Sequence, residues 1–180
     1  MTYRRESLDF ADWQRYLLRT EIRYAIEQGK AFMASDRFEV PGKSEEYIEL
    51  VVPLTTKVRV YDRIIGVTGG VWHVDVLRVS SITPGATDLE TGCLNCAAGT
   101  QPTAMFRRGG ADPVIVNTLE RDLIPAQRGP QSSGALASFQ TYRVANGEPA
   151  TDLVMRVENT SNSAETINVA FVWSEEINDG

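Results

Sequence analysis

The sequence predicts a mainly β protein, an antiparallel β-sandwich or jelly roll with an N-terminal α-helix. Apolar residues recur at helical spacing only before Gly29, and after that residue the spacing changes to every second position. Turn residues separate the alternating runs at short intervals, and no helical period lies between them, which argues against a parallel α/β sheet. We therefore expect a helical segment at 1–30 and one β-sandwich domain at 31–180.

The N-terminal helix is expected to span residues 7–28. Ser7 or Asp9 can cap its first turn, and Gly29 stands where a left-handed residue would end it. So wide an apolar arc needs a covering surface, which is either the helix's own domain or a neighbouring subunit. Two adjoining apolar stripes define the helix, Phe10, Trp13 and Leu17 in one and Leu18, Ile22, Ala25 and Ile26 in the other.

Alternating runs predict the strands of the sandwich. The clearest pair lies at 152–158 and 166–173, and the polar segment 159–163 between them predicts a β-hairpin. Asn159 also begins an Asn-Thr-Ser glycosylation acceptor, for which turn chemistry is the better interpretation. The other candidate strands are 47–52, 57–61, 71–79, 104–107, 114–116 and 138–144.

A long tract around 80–134 is rich in Gly, Pro, Ser, Thr and Asn. This composition predicts a long loop region between strands. Loops of this length are uncommon in a compact domain, and they often carry binding surfaces.

Charge and hydropathy argue against nucleic acids and membranes as partners. The net charge of −6 is opposite in sign to that of a phosphate-binding surface. No uninterrupted apolar run approaches the roughly 18 residues that cross a bilayer. The N-terminus lacks the apolar core of a signal peptide, so we expect a protein made in a cytoplasm, where cysteines stay reduced.

Cys93 and Cys96 form a lone C-x-x-C and are the only cysteines of the chain. Structural zinc usually takes four Cys or His ligands, and His73 is the only histidine, so we expect no metal site. A redox C-x-x-C usually begins a helix, whereas the residues after Cys96 are too broken for one. Two thiols or a local crosslink in a loop remain.

No constellation of catalytic residues is expected, and no cofactor. His73 could complete a triad on paper, but no G-x-S-x-G elbow occurs. A histidine that faces outward, or one tucked beside Asp75 on a strand, is the simpler interpretation. The segment GVTGG at 66–70 lacks the Lys-Ser/Thr of a phosphate loop and predicts a tight turn. We therefore expect that the protein is not an enzyme.

From Tyr47 onward the layout resembles that of the β-sandwich head decoration, or cement, proteins of tailed bacteriophages. The opening passage EYIELVVPLTTKVRVYDRIIGVTGGVWHVDVLRV is similar to the first strands of that fold. The passage DPVIVNTLERDLIPAQRGPQSSGALASFQTYR is similar to a strand, a polar loop and a returning strand. The passage LVMRVENTSNSAETINVAFVWSEE resembles the closing hairpin with its aromatic and acidic end.

The resemblance implies a virion structural protein on the outer surface of the phage head, present in the host cytoplasm during assembly. Such proteins bind the major capsid protein of the assembled shell as trimers and stiffen it by bridging capsomers. The N-terminal helix and the segment CLNCAAGTQPTAMFRRGG are additions to the family pattern. We expect the interface at Trp13, Leu17 and Ile22 of the helix and at Arg107 and Arg108 of the long loop.

Two other hypotheses stay open from the sequence. Jelly rolls also host glycan sites, so the chain could be a tail or baseplate module that recognises host glycans. Such sites usually need exposed aromatic rings, and the tract at 80–134 contains only Phe106. The third hypothesis is an enzyme or metal protein centred on the C-x-x-C.

Overall fold

The computed structural model describes residues 20–53, 56–95, 100–124, 142–145 and 152–177. A helix, α1, occupies residues 20–27 of this part of the chain, and eleven strands follow it. The strands are β1 (Ala31–Val40), β2 (Ser44–Val51), β3 (Thr56–Val67), β4 (Trp72–Thr83), β5 (Thr87–Asp88), β6 (Glu90–Cys93), β7 (Met105–Arg108), β8 (Ala111–Ile124), β9 (Tyr142–Ala145), β10 (Asp152–Asn159) and β11 (Glu165–Ile177).

The strands form two antiparallel sheets with the topology of a jelly roll. Their orders are β6-β1-β11-β3-β9 and β5-β7-β2-β10-β4-β8. If the short strands β5, β6 and β7 are left aside, the strand pairs are nested in the order of the chain. The outermost pair is β1 with β11, followed inward by β2 with β10, β3 with β9 and β4 with β8. A chain that folds back on itself in this way and then rolls up gives an eight-stranded, two-sheet jelly roll. The predicted mainly β, antiparallel sandwich is confirmed.

Alternation along the strands places the core between the two sheets. Trp72 and Trp173 are fully buried there, one from each sheet. Phe106 of β7 stacks on Phe171 of β11 with ring centroids 4.0 Å apart, so the inserted strand β7 contributes to the same core. Burial of aromatic and branched side chains on the inner faces is the main driving force for the sandwich.

The predicted closing hairpin is wrong in its pairing. Strands β10 and β11 do form where alternation predicted them, but they lie in different sheets, and residues 160–164 cross from one sheet to the other. Asn159 organises this crossing, since its side-chain amide donates to the carbonyl oxygens of Val40 (2.9 Å) and Ser163 (2.8 Å). The side chain is fully buried, so turn chemistry was the correct interpretation of the Asn-Thr-Ser sequence.

The tract predicted as a long loop region around 80–134 contains more strand than expected. The two strands predicted inside it, at 104–107 and 114–116, are confirmed as β7 and as part of β8. Strand β6 extends the five-stranded sheet next to β1, and β7, followed by β5, extends the six-stranded sheet next to β2. Strand β8 runs for 14 residues along β4. Short polar strands at a sheet edge lack a continuous apolar run, which is why composition alone predicted a loop. Residues 125–134 lie outside the described part of the chain.

The six-stranded sheet carries a second, smaller apolar core on its outer side. Four side chains are buried there and Ile82 packs on them: Tyr47, Leu77, Val79 and Val154. The ladder of β4 and β8 beside this cluster has four register shifts, and bulges of this kind bend and twist a strand pair locally.

The end of α1 agrees with the prediction at Gly29. Gly29 has φ 64°, its N–H donates to Ile26 O (3.0 Å), and the N–H of Lys30 donates to Ala25 O (2.9 Å). These two bonds form a Schellman motif. Ile22 packs with Ala25 of its own helix against Ala31 and Tyr61, so this part of the helix lies on its own domain.

Candidate functional site

Three of the five predicted interface residues can be placed. Trp13 and Leu17 lie outside the described residues. Ile22 is half-buried against the five-stranded sheet. Arg107 and Arg108 lie on β7, so the expectation that they sit on a loop is wrong. Ile22 packs against Ala31 and Tyr61, whereas the two arginines pair with Asp36 and Asp88, so the described contacts do not bring Ile22 together with them.

Both arginines fasten the inserted strand to its own domain. Arg108 Nε lies 2.9 Å from Asp36 Oδ2 on β1, and its guanidinium carbon is 4.6 Å from the ring centroid of Phe38. Arg107 Nε lies 3.0 Å from Asp88 Oδ1 on β5. These contacts give both guanidinium groups internal partners, so the two residues hold β5, β7 and β1 together.

A buried carboxylate fixes the segment that precedes β7. Glu175 accepts hydrogen bonds from the N–H of Thr103 (2.9 Å), the hydroxyl of Thr103 (2.7 Å) and the N–H of Ala104 (2.9 Å). It also accepts one from Trp173 Nε1 at 3.0 Å. Four donors compensate the burial of this carboxylate. The insertion is therefore held to the core strand β11 as a fixed surface.

A buried arginine forms ion pairs across the sandwich. Arg63 of β3 is buried, and its Nη2 lies 3.0 Å from Glu120 Oε1 and 2.8 Å from Asp122 Oδ2 on β8. Burial, followed by the hydrogen bond and charge of Glu120, raises the pKa of Asp122, while Arg63 lowers it. Arg63 thus ties the edge strand β8 of one sheet to β3 of the other.

Charged side chains also line the outer face of the six-stranded sheet. Asp75 is fully buried and pairs with Arg156 and with Arg121, whose Nε is 3.0 Å away. Burial alone would lower the pKa of Arg156, but the hydrogen bond and charge of Asp75 raise it. Burial and the neighbouring Glu45 raise the pKa of Tyr47 to about 12. These pairs join residues on neighbouring strands, so the row stabilises the strand pairing of the sheet.

The C-x-x-C does not form the site that its residue types first suggest. Cys93 ends β6 in one sheet, whereas His73 lies on β4 in the other sheet and pairs with Glu158 at 3.5 Å. Of the two positions expected for His73, the outward-facing one is confirmed, because the side chain is exposed and pairs across the strands with Glu158. Within the described ranges, no group of three His, Cys, Asp or Glu side chains could hold a metal ion.

The expectation of reduced thiols is wrong for Cys93, which is disulfide-bonded. The chain's only other cysteine, Cys96, lies outside the described residues. Cys93 Sγ lies 3.3 Å from the carbonyl oxygen of Ala31, a contact without a proton because a disulfide sulfur carries none. The local crosslink was one of the two alternatives that the sequence left open.

Exposed apolar side chains concentrate on β8, of which the sequence predicted residues 114–116 as a strand but not as an exposed surface. Val114, Ile115 and Val116 are 56%, 48% and 57% exposed, and Leu123 of the same strand is also exposed. The signal was present as three consecutive branched apolar residues in a polar tract, a departure from strict alternation. Among the described helices, none is long and apolar enough to span a bilayer.

Comparisons with known proteins give a weak likeness. No family model matches the chain, and no curated protein matches it. Among solved structures, "Structure of infectious bursal disease virus Gt strain" contains a similar chain, with 10% sequence identity and a TM-score of 0.21. The likeness covers 83% of this chain and 41% of the viral one, so this chain spans less than half of its length. A TM-score this low does not establish a shared fold.

Proposed function

We propose that this chain is a virion structural protein, a head decoration protein that binds the assembled shell of a tailed bacteriophage. The jelly-roll strand order carries the proposal, because double-sheet jelly rolls are a recurrent architecture of viral shell proteins. This is an analogy at the level of fold. The partner is the major capsid protein, and the protein acts as a trimer on the outer head surface.

The segment 100–108, which the core strands hold in place, supports a function that depends on binding surface rather than on catalysis. Glu175 and Arg108 hold residues 100–108 to the core strands, so this surface can meet a partner without first paying the entropy of ordering a loop. A protein that binds only the assembled shell stabilises it by mass action, and several linked copies add avidity. Neither effect needs a catalytic residue.

Cryo-electron microscopy of the virion encoded by the same genome tests this proposal. We expect density on the outer head surface that fits the two-sheet sandwich and disappears when the gene is deleted. Heads from the deletion should release their genome at a lower temperature than parent heads. Density in the tail, or identical particles with and without the gene, would overturn the head assignment.

Glycan recognition by a tail or baseplate module remains the second candidate, and one observation weighs against it. Phe106, the only aromatic residue of the tract at 80–134, is buried and stacked on Phe171. It therefore offers no exposed ring as a platform for a sugar. Selective micromolar binding on a glycan array would reverse the order of the two candidates.

A further inference from the structure

The disulfide of the C-x-x-C lies beside helix α1. Cys93 is disulfide-bonded and Cys96 is the only other cysteine, so the bond closes a short ring at the end of β6. The two residues between the cysteines both contact the helix. Leu94 packs in the apolar cluster between α1 and the five-stranded sheet. The side-chain amide of Asn95 donates to the carbonyl oxygen of Ile26, in the last turn of the helix, at 3.4 Å.

Backbone geometry fixes the position of this ring against the sheet. The N–H of Leu94 donates to Ala31 O at 2.8 Å, which extends the ladder between β6 and β1 beyond its last residue pair. Asn95 then has φ 68°, in the left-handed region that asparagine tolerates better than most residues. Closing a ring removes conformations that are open to the free chain, so the disulfide favours this turn over others.

Helix α1 depends on a small apolar cluster for its contact with the sheet. Three side chains are buried in this cluster, those of Ala25, Ala31 and Tyr61. Ile22, Ile26 and Leu94 complete the cluster as half-buried residues. The ion pair of Glu21 with Arg59 is partly exposed and therefore adds little. A region with so few buried apolar contacts opens locally before the rest of the protein, so the loss of Leu94 from its place would weaken the contact.

The sandwich itself does not depend on the ring in the same way. The helix-side cluster is separate from the main core, which lies between the two sheets around Trp72 and Trp173. Among the described residues of the ring, Cys93 alone packs against that core, and it does so as a half-buried residue at the edge strand β6. Opening of the ring should therefore affect α1 and leave the two sheets in place.

We propose that the disulfide between Cys93 and Cys96 is a redox-sensitive clasp, which holds α1 on the five-stranded sheet when it is oxidised and releases the helix when it is reduced. Two molecules of a small thiol open it. The first thiolate attacks one sulfur to form a mixed disulfide, and the other cysteine leaves as a thiolate that takes up a proton. The second thiol then attacks the mixed disulfide, which releases the oxidised small thiol and leaves two protein thiols.

The clasp gives the chain two states that follow its surroundings. In a reducing cytoplasm the thiols are free and α1 is loosened, whereas in oxidising surroundings the ring closes and the helix is held. The inference goes beyond the proposed function and concerns the isolated chain. It can be tested in the purified protein, so its failure would leave the head assignment untouched, and failure of the head assignment would leave the clasp untouched.

Hydrogen exchange in the oxidised and reduced protein tests the clasp. The probes are the amides of Gln28, Gly29 and Lys30, because each donates to a carbonyl oxygen of the helix. Dithiothreitol should speed their exchange about tenfold, since a short crosslink restricts the chain only modestly. The amides of β10, which lies inside the six-stranded sheet, should keep their rates. Reoxidation should restore the slow exchange.

Variants separate the clasp from a general effect of the disulfide. The double variant Cys93→Ser with Cys96→Ser should show the fast exchange with and without dithiothreitol. In the oxidised protein, Leu94→Ala should also speed exchange at α1, whereas Leu123→Ala, at an exposed position of β8, is the matched control and should not. Equal exchange in the oxidised and reduced parent would overturn the proposal. An equal rise at α1 and in β10 would overturn it too, because the crosslink would then stabilise the whole fold rather than the helix.

Discussion

Asn159 closes the crossing between the two sheets, and its replacement by alanine tests whether this corner holds the jelly roll together. Its amide nitrogen donates to Val40 O and Ser163 O, and its Oδ1 accepts from the N–H (3.0 Å) and hydroxyl (2.7 Å) of Ser161. The same corner receives the N–H of Lys43, which donates to Asn159 O at 3.0 Å. One side chain therefore joins the β1–β2 corner to the β10–β11 corner.

The expected cost of Asn159→Ala follows from these bonds. Each hydrogen bond contributes about 1 kcal/mol net, and the exposed Ser163 can bond water instead, so the loss is about 3 kcal/mol. For a domain of this size, each kcal/mol lowers Tm by about 2–4 °C, which gives a fall of about 6–12 °C. Differential scanning calorimetry measures it, and Asn168→Ala, at an exposed position of β11, is the control.

Asn159→Asp separates hydrogen bonding from shape. The new carboxylate keeps the acceptor for Ser161 but places a negative oxygen against the carbonyls of Val40 and Ser163. Burial and this repulsion raise its pKa in the folded protein, so the folded state binds the proton more tightly than the unfolded chain. The stability of this variant should therefore recover as the pH falls from 7 to 4, relative to Asn159→Ala. A Tm change below 2 °C for alanine, or parallel pH curves for the two variants, would refute the reasoning.

Three further predictions concern the buried charges and the crosslink. Arg63→Met should cost about 3 kcal/mol in urea unfolding, because it leaves the two β8 carboxylates without their cation, and neutralising both should restore stability. Tyr47 has a pKa of about 12 in the folded protein, so it stays protonated at pH values above 10, where the same tyrosine ionises in the unfolded chain. Above pH 10, the free energy of unfolding of the parent should therefore fall by up to about 1.4 kcal/mol per pH unit relative to Tyr47→Phe. Cys93→Ser with Cys96→Ser should keep the fold, since a crosslink between neighbours constrains the unfolded chain by only about 2 kcal/mol; loss of the folded circular dichroism spectrum would contradict this.

Local features of the fold were predictable from the sequence. Alternation assigned Val157 and Trp173 to the core face, and the glycine at 29 ended the helix as its left-handed conformation requires. These predictions succeeded because they depend on residues within one or two turns of chain. The polar segment after β10 was likewise correctly placed as a turn.

Strand partners were not predictable in the same way. Alternation indicates which face of a sheet a side chain takes, but it does not indicate the partner strand. A hairpin and a crossing between two sheets both show alternating strands joined by a polar turn, so their sequence patterns are the same. Asn159 decides between them through Val40, which lies 119 residues away in sequence. Among the short strands, β7 was predicted at 104–107, whereas β5 and β6 were not, and the position of β7 depends on distant groups such as Glu175, which bonds residues 103 and 104 from 72 and 71 positions away. Contacts of this range leave no local pattern.

The insertion between β4 and β8 explains why the open edge of the sandwich lies at β8. Strand β6 pairs with β1 and strand β7 with β2, so the insertion covers the same side of both sheets. At the far ends of the sheets, the described strands are β9, with four residues, and β8, with 14. By extending one side of both sheets with short polar strands, the insertion leaves β8 as the longest edge strand of the described sheets.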